Sequence, residues 1–573
     1  MNNIEFFRGI SNYLWSLSST NGKLICQKHR IEHTGKNAYS IITDLYLYKT
    51  TGEEGYFERA RSRALRVAGN LIADPKHGQY MYWPGRLGKT NMSNSVIDSG
   101  GATDSLAEII LRYENKLTAE EKEKIKDAIF KNSDTYLKEA VYKKELPDQR
   151  LWGATGLASA YKIFHVESWK ESLLKSIERT LSQQWSDGTL PYHPNWKEYN
   201  LPSNMEETTT FYHSRQIGFI FHILDAIDFS VAKYRTQLER AGEVLLAMYT
   251  PSGKKVLTLE TKRWYWFGQY EVASYGFDLY ALVRLYELTG DERYLKIASH
   301  ALAVLKDHVQ GDGGIISQLE AEFDFQCRIF WNAHLAWLTR VIEKIPDSIW
   351  YAPKDSVLTM LEGNGIIKYE NKSYSMLWRG NKKSFDTLYG PSMGGGSLLY
   401  FGRAKDSFLN IIHTEEWDEK IPFNFLIKRN RHWSPVNFFN FLGEEAVNLR
   451  ALLYYWYIEV RAGNWAGIKR RAADLWRKLY SGGYGVWNSA WATNAKPVIS
   501  DSSLTFTLHP AMRNGKKLES VIIERFYEPS ELGLKVREKI TITDPGLRVQ
   551  YFGPDGVRKF RQTGTFEYSY QLE

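Results

Sequence analysis

Apolar positions in residues 1–345 recur at helical spacing, and two kinds of helix alternate. One kind is apolar nearly all round. Phe277, Leu279, Tyr280, Leu282, Val283, Leu285 and Tyr286 leave no polar face, so this helix is predicted to be buried. The other kind carries one stripe, as in Leu295, Ala298, Leu302 and Leu305. The pair is repeated. Thr51-Gly-Glu-Glu-Gly-Tyr56-Phe57 matches Thr289-Gly-Asp-Glu-Arg-Tyr294-Leu295, each between an apolar helix and an amphipathic one. Gly52 and Gly290 stand where a helix ends, and the acid after each can open the next. Six buried helices are predicted to start near Ala38, Ala102, Trp152, Ser214, Tyr275 and Phe330. Six such helices inside a ring of amphipathic ones make an (α/α) toroid. Pro346 closely follows Ile342, so the last hairpin is expected to be truncated and the ring incomplete. The loops at 77–85, 185–193 and 311–314 are rich in Gly, Asp and aromatics, and would gather at one end as a cleft.

After about residue 345 the period changes. Short apolar runs are predicted as strands at Ile366–Trp378, Ser397–Phe401, Phe408–His413, Leu449–Val460, Leu504–Leu508, Val521–Phe526 and Leu534–Ile542. One helix, from about Ala466 to Tyr480, interrupts them, with Ile468, Ala472, Leu475, Trp476 and Leu479 on one face. The fold class is therefore mainly α with β: a toroid over 1–345 and an antiparallel β-sandwich over 346–573. No low-complexity linker divides them, so the halves are expected to pack on one another.

Composition sharpens this picture. The chain has 573 residues, 43% hydrophobic and 24% charged, as in proteins with ordinary cores. No run approaches the roughly 18 apolar residues of a membrane-spanning helix. The start, Met1 to Arg8, lacks the basic and apolar regions of a secretory signal, so a cytoplasmic protein is expected, or a periplasmic or secreted one if a leader has been removed. Two cysteines, Cys26 and Cys327, exclude a disulfide scaffold and a cysteine zinc site. The net charge of +8 suits an acidic ligand. No block of five basic residues points to nucleic acid. The 19 Trp and 36 Tyr suit stacking on sugar rings, although large helical cores also consume aromatics. No nucleotide-binding, nucleophile-elbow or zinc-protease motif occurs. No cofactor is required by the chemistry below. A structural divalent metal in the β-domain is conceivable, but no ligand cluster predicts one. Oligomeric state is not legible.

The densest polar cluster is Asn204-Met-Glu206-Glu207-Thr-Thr-Thr-Phe-Tyr212-His213-Ser-Arg215, at the start of the fourth inner helix. A second, Arg263-Trp264-Tyr265-Trp266-Phe-Gly-Gln-Tyr270-Glu271 with Tyr275, precedes the fifth. Neighbouring inner helices would set these side by side. Such a mixture can run β-elimination on a uronate. Donors such as Asn204 and Arg215 neutralise the carboxylate, a His or Tyr removes the C5 proton, and a Tyr protonates the departing oxygen. His213 is the candidate base or neutraliser, Tyr270 the candidate acid, Tyr275 its reserve, and Tyr212 a further member. For His213, the competing reading is a hydrogen bond that ties down a helix start. Tyr82, Trp83, Trp152, Trp185, Tyr192, Trp264 and Trp266 are candidates for sugar stacking, with core packing as the alternative for each. Arg263 adds a cation. Asn94 and Asp98 could bind hydroxyls or could be ordinary cap residues.

A helical toroid followed by a β-sandwich, with His213 at an inner-helix start, Tyr270 one hairpin later and His413 in Phe408-Leu-Asn-Ile-Ile-His413, resembles the toroid-fold polysaccharide lyases. These include the heparinase II/III-like enzymes and related alginate lyases. The resemblance implies cleavage of an acidic, uronate-containing polysaccharide or oligosaccharide, with His413 reaching the cleft from the β-domain. Tyr265 and Tyr275 compete with Tyr270 for the Tyr position, and His432 and His509 compete with His413. Three other functions fit the same scaffold. A glycoside hydrolase would use paired carboxylates, Asp187 or Glu206 with Glu271 or Asp278. A uronate C5-epimerase would share the proton abstraction. A glycan-binding protein would need only the aromatics.

Overall fold

A computed structural model describes residues 1–25, 34–82, 92–192, 212–256, 270–272, 274–316, 328–347, 357–361, 365–380, 394–403, 422–429, 486–492, 497–500, 503–512 and 516–573, together with Glu32, Ala495 and eight positions between 453 and 472. The first part is helical: α1 (Asn3–Ser16), α2 (Thr34–Thr51), α3 (Glu54–Ala68), α4 (Met92–Tyr113), α5 (Ala119–Asn132), α6 (Lys138–Lys143), α7 (Pro147–Phe164), α8 (Glu167–Ser182), α9 (His213–Ala226), α10 (Arg235–Ala247), α11 (Tyr275–Thr289), α12 (Glu292–Asp307) and α13 (Arg328–His334). Five of these, α2, α4, α7, α9 and α11, line the centre with α13 and the 3₁₀ turn Leu335–Arg340. Each packs against the next, and the last returns to α2. Residues Thr34–Leu47 of α2 and Pro147–Tyr161 of α7 are buried without interruption, as their lack of a polar face requires. The outer helices bury one stripe only, as α12 does with Tyr294, Ala298, Leu302 and Leu305. After α13 only short 3₁₀ turns follow, and α1 packs beside it.

Glycine sets the tightest contact in the ring. A side chain on Gly100 of α4 would collide with the carbonyl of Trp152 on α7, and one on Gly156 with the backbone of Gly100. The two backbones therefore approach closely enough to carry Trp152 into the ring centre. Gly52 and Gly290 end their helices at φ 74°, as the repeat predicts.

Small antiparallel hairpins decorate the ring: β1 (Leu71–Asp74) with β2 (Gln79–Tyr82), and β3 (Lys255–Val256) with β4 (Tyr270–Glu271). The loop expected over 77–85 therefore contains a strand. Its alternation was too short to separate from turn residues.

The C-terminal part is antiparallel throughout the described residues. β5 (Val357–Leu361), β6 (Ile366–Glu370), β7 (Tyr374–Arg379) and β8 (Ser397–Arg403) form one sheet. β9 (Asn424–Arg429), β10 (Val486–Asn488), β15 (Leu547–Gly553) and β16 (Gly556–Phe560) form the second. The third joins β11 (Pro497–Ser500), β12 (Ser503–Leu508), β13 (Val521–Ser530), β14 (Gly533–Ile542) and β17 (Gly564–Leu572). The run expected as one strand from Ile366 to Trp378 is a hairpin, because the Asn371 carboxamide accepts from Ser373 and Tyr374 and turns the chain. The strand expected over Leu449–Val460 is also corrected: the described positions 453, 456, 457 and 460 are helical. Its run of bulky apolar residues suits either element, and periodicity does not separate them.

The two parts share a core. Val244, Ala247 and Met248 of α10 pack with Leu361, Ile366, Leu377, Leu399, Tyr400 and Trp491. The Lys368 ammonium donates to the Leu246 carbonyl at 3.2 Å.

Candidate functional site

The six inner elements all begin at the same end of the ring, and buried polar side chains lie at or near their starts: Lys36, Asp98, Asp148, Arg215, Ser274 and Asn332. Polar groups belong there, because the first amides of a helix lack partners within it and favour acceptors. Asp98 shows this across helices, accepting from the Gly35 amide of α2 at 3.2 Å.

At the centre of this mouth, two buried cations sit among aromatic rings. The Arg215 guanidinium lies 4.6 Å from the Phe277 ring centroid, 5.1 Å from Trp152 and 5.3 Å from Tyr212. The Lys36 ammonium lies 5.0 Å from Phe330 and 5.5 Å from Trp152, and 3.7 Å from an Asp98 oxygen. Aromatic faces stabilise a desolvated cation through their quadrupole. Trp152 is fixed by its indole N–H, which donates to the Tyr39 hydroxyl at 2.5 Å. Tyr192 and Tyr212 stack at 4.7 Å above this floor.

Asp148 completes the group. It is 1% exposed, and its Oδ1 has no hydrogen-bond partner. Burial pushes its carboxyl up to about 7, with Arg215 opposing the shift. An acid poised in this way can exchange a proton near neutral pH. Neither Asp148 nor Lys36 was singled out from the sequence. The signal was available for Asp148, since Pro147-Asp148 opens an inner helix.

Two expected proton-transfer residues are structural in this geometry. His213 is fully buried. Its Nε2 donates to the Ala241 carbonyl at 2.8 Å, and its Nδ1 accepts from the Leu190 amide at 3.4 Å. Burial lowers its pKa to about 4, so it is neutral and both nitrogens are engaged. Tyr275 is also fully buried, donating to the Gly253 carbonyl at 2.8 Å and accepting from the Lys255 amide at 3.0 Å. Each ties a loop to the ring, which removes it from proton exchange with a substrate.

The other candidates divide by position. Trp152, Tyr192, Tyr212 and Arg215 come together at the mouth, Trp152 as a floor and not as an exposed platform. Tyr82 is buried within the ring. Tyr270 lies on β4, with Glu271 beside it, and Asn94 lies in the first turn of α4. Their side chains are outside the described set. Trp83, Asn204, Glu206, Arg263, Trp264, Tyr265, Trp266, His413 and His432 lie outside the described residues. His509 is held in the β-domain by the Val521 carbonyl at 2.8 Å. Two of the carboxylates expected for a hydrolase, Asp187 and Asp278, are engaged elsewhere. Asp187 accepts from Thr189 within its own turn, and Asp278 is enclosed by Ser214, Tyr249, Ser274 and Lys255.

Deeper along the axis, Ser159, His222, Asp104 and Arg340 meet. Ser159 Oγ lies 3.0 Å from His222 Nε2 and donates to Asp104 at 2.7 Å. Arg340 donates to His222 Nδ1 at 3.0 Å and to Asp104 at 2.8 Å. A guanidinium cannot accept, so Nδ1 must, and Nε2 carries the proton. This His cannot take a proton from Ser159. The cluster is therefore a clamp joining α4, α7, α9 and the last inner turn, and not a nucleophilic triad. Among the described residues no group of three His, Cys, Asp or Glu is placed to hold a metal ion, and no helix is long and apolar enough to cross a membrane.

No protein-family model matches the chain, and no curated protein matches it. Solved structures do. A chondroitin AC lyase of Streptomyces coelicolor A3, in complex with chondroitin sulphate, is similar over 96% of this chain and 67% of its own, at 9% identity and TM-score 0.50. A glycosyl hydrolase of family 88 from Bacteroides vulgatus covers 60% of this chain and all of its own, at 12% identity and TM-score 0.45. A cellobiose 2-epimerase from Bacillus thermoamylovorans covers 59% and 98%, at 12% identity and TM-score 0.44. At these identities the likeness is one of fold: the chain has the (α/α)-toroid architecture, with an antiparallel β region after it.

Proposed function

We propose that this chain is a carbohydrate-active enzyme that cleaves a uronate-containing acidic polysaccharide by β-elimination at the mouth of the toroid. The observation that carries this reading is Arg215, a buried guanidinium among Trp152, Tyr212 and Phe277, with Lys36 beside it. Cations on an aromatic floor suit a sugar ring that bears a carboxylate. Neutralising that carboxylate makes the C5 proton acidic. Arg215 and Lys36 take this role, assisted by Asn204. The proton transfers are assigned to Tyr270, on β4, and to His413, since His213 and Tyr275 are committed to backbone partners. The protein is incubated with a panel of uronic-acid glycans and followed by ultraviolet absorbance, because elimination creates an absorbing C4=C5 uronate. Arg215→Met is expected to lower kcat/KM at least about a hundredfold, a buried charged contact being worth about 3 kcal/mol or more. Turnover unchanged in that variant rejects the proposed subsite.

A second reading has its own observation. Asp98, in the second turn of α4, and Asp148, at the start of α7, lie on adjacent inner helices, and burial holds Asp148 protonatable near pH 7. Paired carboxylates of this kind suit a hydrolase. New reducing ends without absorbance, lost in Asp148→Asn, would establish it in place of elimination.

A further inference from the structure

The inner helices start at the mouth, so their last turns meet at the opposite end of the ring. A recess of about 260 Å³ lies there, between α2, α4 and the chain from Thr339 to Lys344. Its floor is apolar and buried: Ile42, Leu45, Val341 and Ile342. A space of this size admits one small molecule and not a polymer. Charged side chains line the rest, and most of them are already paired. Arg112 donates to Glu108 at 2.6 Å, Arg340 is held by Asp104 at 2.8 Å, and Lys344 pairs with Glu287. Two charges remain. Lys49 is exposed in the last turn of α2 and has no acid within ion-pairing distance among the described residues. Glu343 is exposed and has no cation within that distance among them. Its Oε1 accepts from the Tyr46 hydroxyl at 2.5 Å, which holds the carboxylate at the wall of the recess.

We propose that this recess is a binding site for a small zwitterion with an apolar body, of the chemical class of the apolar α-amino acids, separate from the site at the toroid mouth. The ligand carboxylate meets Lys49, its ammonium donates to Glu343, and its side chain covers the apolar floor. Each part disfavours another class. A simple anion leaves Glu343 facing a like charge, and a simple cation does the same with Lys49; like charges set against one another cost binding. A sugar brings hydroxyls that Ile42, Leu45, Val341 and Ile342 cannot bond. A zwitterion without a side chain gains nothing from the floor, because this contribution grows with the apolar area taken from water.

The full chain is titrated calorimetrically with leucine, methionine and phenylalanine. At least one of the three is expected to bind, one molecule per chain. Glycine, and the N-acetyl and amide derivatives of the bound amino acid, should bind at least about tenfold more weakly, which is the worth of one hydrogen bond to a charged group. Lys49→Met should weaken the amino acid by at least about tenfold and leave its amide unchanged, since the amide has no carboxylate to lose. Glu343→Gln should weaken it likewise and leave the N-acetyl derivative unchanged. Both positions are exposed, and circular dichroism checks that the variants fold. The comparison of derivatives on the wild type keeps the test decisive if either does not. Cleavage of a soluble glycan should be unchanged in both variants, so this proposal and the proposed function fail separately. No binding of any of the three amino acids up to their solubility, equal binding of an amino acid and its derivatives, or variants that bind as the wild type overturn the inference. Binding lost in Arg215→Met but kept in Lys49→Met also overturns it and moves the ligand to the mouth.

Discussion

If His213 is a structural residue, its titration belongs to stability and not to catalysis. The imidazole is fully buried between the Leu190 amide and the Ala241 carbonyl. Burial is the largest influence on it and disfavours charge. The Ala241 hydrogen bond, Asp187 and Asp278 oppose the shift, and Lys255 adds to it. The folded pKa is about 4 against about 6.5 in the unfolded chain. Below pH 6.5 the unfolded state therefore binds the proton first, and stability falls as pH falls. The loss grows until the folded group also titrates near 4. Its limit is about 3 kcal/mol, and at pH 5 it is about 2 kcal/mol. His213→Gln can keep both hydrogen bonds but cannot titrate. Urea unfolding of wild type and variant is compared at pH 7.5 and pH 5.0, so that other groups cancel in the difference. The wild type should lose about 2 kcal/mol more than the variant over this interval. The variant should keep glycan turnover within tenfold. Parallel pH profiles would refute the buried neutral imidazole. A turnover loss of a hundredfold or more at unchanged stability would return His213 to the chemistry.

The remaining predictions concern the ring and its mouth. Asp148 has the opposite sign: its folded pKa is raised from 3.8 to about 7, so its contribution is intact below pH 3.8 and lost as pH rises through 7. Asp148→Asn should therefore be more stable than wild type at pH 8, by up to about 4 kcal/mol, and equal to it at pH 4, as read by urea unfolding. Asp104→Asn removes the nearer counter-ion of the buried Arg340 guanidinium, leaving only Glu108 at 3.5 Å, and should cost about 3 kcal/mol, seen as a large fall in thermal midpoint. Gly100→Ala drives a methyl into the Trp152 carbonyl and should cost about 1–3 kcal/mol, with a change in Trp fluorescence as α4 and α7 separate.

The alternation of inner and outer helices was legible because it follows from period alone. A helix apolar on every side, such as Tyr275–Thr289, has no stable place except a ring interior. The Thr-Gly-acid repeat marks its boundaries through backbone conformations that glycine favours. Six inner elements begin within about ten residues of the predicted starts, and four of the predicted strands recur as strands. Leu449–Val460 failed because a run of bulky apolar residues carries no period. The loop containing Gln79–Tyr82 failed because its partner, Leu71–Asp74, is set by pairing across a turn. The clustering of polar side chains at the inner-helix starts was also legible, but which of them would be buried beside one another was not. His213 and Tyr275 read as reactive from their company in sequence, yet each meets a backbone group from another element, Ala241 and Gly253.

Local patterning thus determined the fold class of this chain and the end of the ring where its polar side chains gather. These rest on helical period, glycine conformation and the burial of apolar faces, all properties of neighbouring residues. The tertiary structure alone decided which polar groups lose water and which gain partners. Lys36 carried no sign in sequence, and Asp148 carried only its place after Pro147 at a helix start. They matter because ring closure places them beside Arg215 and Asp98, on helices separated by 50 to 180 residues. Desolvation and ion pairing depend on distance in space, and only the closed ring sets those distances.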